Sequence, residues 1–263
     1  MDSPGHSDGT VGKAMDVLDA VAAAGRPVRF SELLSTGRWP KATLYRLMQT
    51  LTNQGLLSYQ EGTYSLGLRL IRLAHGAWQQ ASLAPIAQPF IDQLSADLGE
   101  TVHLAQLDRG QVLYVDKRSA RDPIPMFSDA GKVGPSYCTG VGKAMLAHLG
   151  EAELSAALDR QAFHPHTQNT HTTAHSLRAE LAEIRASGVS FDREEHEPQI
   201  ICVAVPILSQ QNAPLGALSI TSTTERHDLA ALGALAPALI NTASQIADAA
   251  QTWTFPQRVR AAQ

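Results

Sequence analysis

Cysteine is scarce in this chain of 263 residues, with only Cys138 and Cys202, far apart in sequence. A disulfide framework is therefore not expected, and no CxxC pair offers zinc ligands. Aromatic residues make up only 5% of the sequence, and charged residues 17%. No uninterrupted apolar run approaches the roughly 20 residues of a membrane-spanning helix. Residues 1–10 are polar, with Pro4 and Gly5, and lack the charged start and apolar middle of a secretory signal. The expectation is a cytoplasmic protein with no membrane partner. Repeats and low-complexity tracts are also missing. Apolar residues, by contrast, reach 44%, enough for a sizeable core in one large domain or two ordinary ones.

The overall charge of −4 gives no sign of nucleic acid. The distribution is more informative. Through Arg72 there are eight basic and six acidic residues, and thereafter thirteen and nineteen. The sign of that asymmetry suits an N-terminal module facing DNA.

Apolar Ala14, Val17, Leu18 and Val21 recur at helical spacing, with Thr10 as N-cap and Gly25 and Pro27 as the stop. A short second helix opens at Ser31 and ends at Gly37. A third begins near Pro40, carries Leu44, Leu47, Met48 and Leu51 inward, and closes at Gly55. Residues 56–59 and 63–66 alternate around Gln60, Glu61 and Gly62, which predicts a hairpin. Three helices and a hairpin make a winged helix-turn-helix. The spacing then predicts an amphipathic linker helix over 68–81, with Leu70, Ile71, Leu73, Ala74 and Ala77 inward.

After Gly99 the period changes from helix to strand. Strands are expected at 102–107, 112–115, 189–191, 200–208 and 215–221, with a short one around 124–127. Helices are expected at 140–148, 151–158 and 174–187, and a final one at 228–249. That pattern is an α+β domain, a largely antiparallel sheet flanked by helices.

The third helix turns Lys41, Thr43, Tyr45, Arg46 and Gln49 away from its apolar stripe, with Arg38 just before it. Arg and Lys meet phosphates or guanine edges, Gln reaches adenine, and Thr or Tyr serve phosphate or methyl contacts. An ordinary solvated helix face is the alternative.

Farther on, Cys138, Thr139, Gly140, Val141, Gly142 and Lys143 lead into a helix. Glycines there leave backbone N–H groups free for an anion, or simply make a tight turn. The GxxxxGK[ST] spacing of a nucleotide loop is absent. Ser219 and Thr221, two apart on a strand, point to one face.

No catalytic residue is expected. Apolar Ile200, Ile201 and Val203 around Cys202 keep its thiol inert, and Ser219 lies on a strand outside any GxSxG turn. His164, His166, His171 and His175 fall within a dozen residues and could bind Zn²⁺ or Ni²⁺. Their Pro/Thr/Asn-rich setting without cysteine fits a polar surface loop instead. Neither a metal nor a cofactor is expected.

The segments GKAMDVLDAV, SELLSTGRWPKATLYRLMQTLTNQGLL, YSLGLRLIRLA, YCTGVGKAMLA, SGVSFDREEHEPQIICVAVPI and PLGALSITS resemble the isocitrate lyase regulator (IclR) family, in order and across nearly the whole chain. The resemblance implies a winged-helix DNA-binding domain at 1–67, a linker helix at 68–81 and a GAF-like effector domain at 82–252, followed by a tail at 253–263. It implies a transcriptional regulator, repressor or activator. Its partners would be double-stranded DNA bearing a near-palindromic operator, a small carboxylate effector and further copies of itself, as a dimer or homotetramer. By analogy Gly140 and Val141 offer N–H groups to the carboxylate, while Ser219 and Thr221 donate hydroxyl bonds. Asp192 and Cys202 contact the remaining oxygens, and Met126 gives an apolar wall. The family's frequent serine is Thr221 here. Trp39 and Tyr45 replace smaller or more polar residues, so the operator sequence does not transfer.

Asp192 raises a physical difficulty, because an ionised aspartate repels a bound carboxylate. It fits if protonated or if it accepts a ligand hydroxyl, and otherwise it structures the turn before Arg193. These polar positions favour glyoxylate or pyruvate over a bulky aromatic acid. The alternative function is a metabolite-sensing module that acts through protein partners without binding DNA.

Overall fold

The computed structural model describes residues 9–252, so the expected tail at 253–263 lies outside the described residues. The chain divides between Gln80 and Ala81 into two compact units.

The first unit contains α1 (Gly9–Ala23), α2 (Phe30–Ser35), α3 (Lys41–Asn53), the strands β1 (Leu57–Gln60) and β2 (Thr63–Leu66), and then α4 (Leu68–Ala81). Val17, Leu18 and Val21 of α1 meet Leu44, Leu47, Met48 and Leu51 of α3 in one core with Trp39 and Leu57. The caps differ from expectation. Thr10 and Ser31 lie inside their helices, and the backbone N–H of Arg29 starts α2 by donating to Glu32 Oε1 at 2.8 Å. A carboxylate at the third helical position satisfies that donor better than a serine two residues along. Gln60 pairs with Thr63 across a two-residue turn at which Glu61 and Gly62 have φ of 49° and 79°. Positive φ at both positions matches the right-handed twist of a tight hairpin, and glycine adopts it without strain. Val28 and Tyr64 exchange two backbone hydrogen bonds, which tie the hairpin to the helices.

The expectation of an inward apolar stripe on α4 is not met. No residue of this helix is buried, and Leu68 and Ile71 are 80% and 67% exposed. Leu70 alone of that stripe packs against the first unit's core. The amphipathic pattern is real, but a single chain does not cover it.

The second unit is α+β. A six-stranded antiparallel sheet runs in the order β5-β4-β3-β8-β7-β6. Its strands are β3 (Thr101–Asp108), β4 (Gln111–Arg118), β5 (Val133–Gly134), β6 (Ser190–Arg193), β7 (Ile200–Leu208) and β8 (Pro214–Thr223). The helices are α5 (Ala84–Leu98), α6 (Gly140–Leu146), α7 (Glu151–Leu158), α8 (Ala174–Ser187), α9 (Leu229–Gly233) and α10 (Ala236–Ala249). Side-chain alternation gives the sheet two buried faces. Ala105, Ala204 and Ala217 on one face meet Val141, Ala144 and Met145 of α6. Small alanines there let a fully buried helix lie close to the strands.

Two expected elements change. No strand forms at 124–127, where Pro123 and Pro125 interrupt the donors a ladder needs. The final helix is divided at Ala234 and Leu235, just before Pro237 in the first turn of α10. Leu229–Ala249 as a whole is long and apolar enough to cross a membrane. Yet α10 contacts β7 and α5 and buries Leu239, Ala243 and Ile246 as a core helix does.

Candidate functional site

In the first unit, the inward stripe of α3 fixes what its other side presents. Lys41, Tyr45, Arg46 and Gln49 are exposed, Thr43 is half-buried, and Arg38 is exposed on the approach to the helix. Lys41, Tyr45 and Gln49 follow one another every four residues along one face. Trp39 points the other way, into the core, where it anchors the turn between α2 and α3. Tyr45 meets Phe30 of α2 edge-on, with ring centres 6.3 Å apart, so its orientation is set by packing. Two cations, an amide and a phenol thus stand on a helix braced from behind.

In the second unit, the register of four neighbouring strands builds a row of polar side chains. His103 on β3 pairs with Ser219 on β8, Thr221 pairs with Cys202 on β7, and Cys202 pairs with Asp192 on β6. The start of α6 lies over this row, and between them is a small cavity of about 30 Å³. Gly140, Val141, Asp192, Cys202, Ser219 and Thr221 all line it. Met126 does not. It is half-buried in the loop between β4 and β5, where Ser128 supplies the lining instead.

Sequence reasoning gave no ligand contact to His103, Tyr114, Ser128, Thr139, His196, Glu197 or Ile200, which complete the wall. His103 had a signal: it is a polar side chain amid the apolar residues of a buried strand. Ser128, His196 and Glu197 come from irregular segments whose path no periodicity reveals.

The wall is polar, but burial favours the neutral form of its groups. His103 is buried, which depresses its pKa to about 4 and keeps the ring neutral. Its Nε2 meets the backbone oxygen of Ser128 at 3.1 Å, and its Nδ1 meets Thr221 Oγ1 at 3.3 Å. Nε2 also meets the Ser128 hydroxyl oxygen at 2.8 Å, so both ring nitrogens have partners and hydroxyls on either side suit either neutral tautomer. Burial pushes the Cys202 and Cys138 thiols well above their usual range. The N–H groups of Gly140 and Asp192 are directed at the Cys202 sulfur. Burial and the neighbouring Glu195 charge raise Asp192 to about 7, against the hydrogen bond its Oδ1 accepts from Glu195 N–H at 2.8 Å.

Behind the cavity lies a charge cluster. The Lys143 side chain has no exposure, and its Nζ donates to Glu180 Oε1 at 2.8 Å and, at very close range, to Glu195. Glu180 also receives Arg193 Nη1 at 2.8 Å and faces His171 Nε2. His171, Glu180 and Glu195 have the spacing of a metal-ligand trio, but the Lys143 ammonium supplies the cation to both carboxylates. The other histidines disperse. His164 meets His166 edge-on, His166 in turn lies tilted against His196, and His175 is exposed on α8.

Comparison with known proteins agrees with this division of the chain. Residues 10–61 match the IclR helix-turn-helix domain, and residues 75–248 match the family described as bacterial transcriptional regulator IclR C-terminal. The HTH-type transcriptional regulator XynR of Escherichia coli is 30% identical over 225 residues, 85% of this chain and 89% of that protein. The transcriptional repressor IclR of the same organism is 28% identical over 81% of this chain and 80% of its own. Among solved structures, the Thermotoga maritima IclR aligns with a TM-score of 0.75 at 29% identity, covering 92% of this chain and 98% of that one.

Proposed function

The chain belongs to the IclR family, a DNA-binding transcriptional regulator with an effector-binding C-terminal domain, and on that premise we propose that its effector is a small 2-oxo acid such as glyoxylate or pyruvate. The observation that carries this reading is the meeting of six polar or backbone-donor positions, from β6, β7, β8 and the start of α6, on one small cavity. A cavity of about 30 Å³ favours an acid of two or three carbons over an aromatic one. Gly140 and Val141 offer backbone N–H groups to the carboxylate, a ligand oxygen replacing the sulfur of Cys202 as acceptor. Ser219 and Thr221, side by side on one face of β8, donate their hydroxyls to the ligand oxygens. Met126 stands outside this contact set.

In the same reading, residues 1–67 grip a near-palindromic operator, 68–81 form the relay and 82–252 the GAF-like sensor, in the cytoplasm. Arg38, Lys41, Thr43, Tyr45, Arg46 and Gln49 make the DNA contacts. A two-fold operator calls for paired reading heads. The exposed Leu68, Ile71 and Leu73 of α4, with Val11 and Met15 of α1, give apolar surface for a second copy, in a dimer or a tetramer. Effector binding changes DNA affinity by favouring one arrangement of that assembly. The homologous proteins are regulators, and the buried, proton-retaining thiols give no nucleophile for catalysis. A mobility shift with the DNA upstream of the protein's own gene, with and without millimolar glyoxylate or pyruvate, tests the whole. An unchanged shift together with no heat on calorimetric titration rejects this effector class.

A further inference from the structure

Two carboxyl groups line the cavity, Asp192 and Glu197, and they are held differently. Glu197 has His196 Nδ1 at 3.6 Å and accepts Phe127 N–H at 3.1 Å. Asp192 is only 5% exposed and accepts one N–H, from Glu195. The groups facing it from other elements are Cys202 on β7, Cys138 ahead of α6 and Tyr114 on β4, none of them a cation, and His196 in the turn after β6, which can carry one. The nearest ammonium, Lys143 on α6, is already shared by Glu180 and Glu195. His103 on β3 is neutral. If His196 carries a proton, Glu197 beside it matches the charge.

A ligand carboxylate set against Gly140 and Val141 therefore meets no net positive charge on the wall. With Asp192 ionised it would place two anions in one small, water-poor volume, where repulsion is strong. We propose that a small monocarboxylate enters this cavity together with one proton, taken from solvent onto Asp192, whose neutral carboxyl then donates its O–H to the ligand. Oδ1 keeps the Glu195 N–H, and Oδ2 carries the new hydrogen. No other bond is made or broken. The inference rests on the carboxylate reading above and deepens it in two ways. Binding becomes linked to pH, and dicarboxylates are disfavoured because each further anionic group would need a further proton. The raised affinity of Asp192 for protons, near pH 7, puts the exchange within the physiological range.

Calorimetric titration of the full chain with glyoxylate and with pyruvate, from pH 6 to pH 8.5 in two buffers of different ionisation enthalpy, tests it. These acids stay ionised throughout, so any linkage belongs to the protein. The dissociation constant should rise about tenfold from pH 6 to pH 8, with about one proton taken up per ligand at pH 8. Asp192→Asn, whose amide donates without titrating, should bind with a flat pH profile and no uptake, and His196→Gln should keep the wild-type slope. Wild-type binding without proton uptake overturns the proposal, whatever the variants do. So does a slope that survives Asp192→Asn or disappears in His196→Gln. Absence of binding to either acid even at pH 6 rejects instead the carboxylate reading on which it stands.

Discussion

A methyl group on Gly140 would overlap the sulfur of Cys202. The first residue of α6 and the third residue of β7 are therefore fitted to one another at the cavity wall. Gly140→Ala should push the thiol and β7 outward at a cost of about 1–3 kcal/mol and lower effector affinity at least tenfold. Gly140→Ala combined with Cys202→Ala should recover part of that affinity, since the smaller residue makes room. A double variant no better than the single one, by calorimetric titration, would show that the overlap is not what matters.

The two units should lose their properties separately. Arg46→Ala removes an exposed cation from α3 and should weaken operator binding by about 1–3 kcal/mol, with a shallower salt dependence and the effector response kept. Ser219→Ala with Thr221→Ala should leave DNA binding intact and abolish the response. Mobility shifts across a salt series, with and without effector, distinguish the two. If each variant, still folded, lost both properties, the division of labour would be wrong.

Stability should depend on pH through Asp192. Its carboxyl binds a proton more tightly in the folded chain, about 7 against 3.8 as the ordinary value. The penalty for burying its charge is absent below about pH 4, grows towards pH 7 and is complete above. Asp192→Asn keeps an oxygen for the Glu195 N–H and never ionises. It should stabilise the apo protein by on the order of 2–4 kcal/mol at pH 8 and by little at pH 4, as read from denaturant midpoints. A gain independent of pH would point to packing instead.

The uncovered stripe of α4 yields a prediction about assembly. Ile71 is 67% exposed, so Ile71→Glu should change the stability of an isolated chain by no more than about 0.5 kcal/mol. Sedimentation should nonetheless show self-association weakened at least tenfold, with operator binding reduced in parallel. Unaltered sedimentation would exclude this stripe from the interface.

The regular elements were legible in the sequence because their periodicities are local. The stripe of α3, the hairpin with Gly62 at its turn, the alternation of β8 and the bounds of α8 all follow from neighbours in sequence. Six of the seven residues expected to contact an effector line one cavity, and their expectation drew on resemblance as much as on strand alternation. Met126 lies in a proline-containing loop with no periodicity to orient it. His103 was missed because its role depends on Ser219, more than a hundred residues away, arriving opposite it. Lys143 gave no warning either. A lysine next to glycines suggests an anion-binding surface, whereas here it is sealed inside between Glu180 and Glu195, contributed by elements much later in the chain.

The interior position of Lys143 also bears on what this domain needs from its surroundings. A counter-ion fastened by four methylenes to the polypeptide cannot be stripped by chelators, exchanged for a competing ion, or made scarce by starvation. The electrostatic scaffolding of this domain is inherited with the gene, so its poise does not follow the supply of any ion.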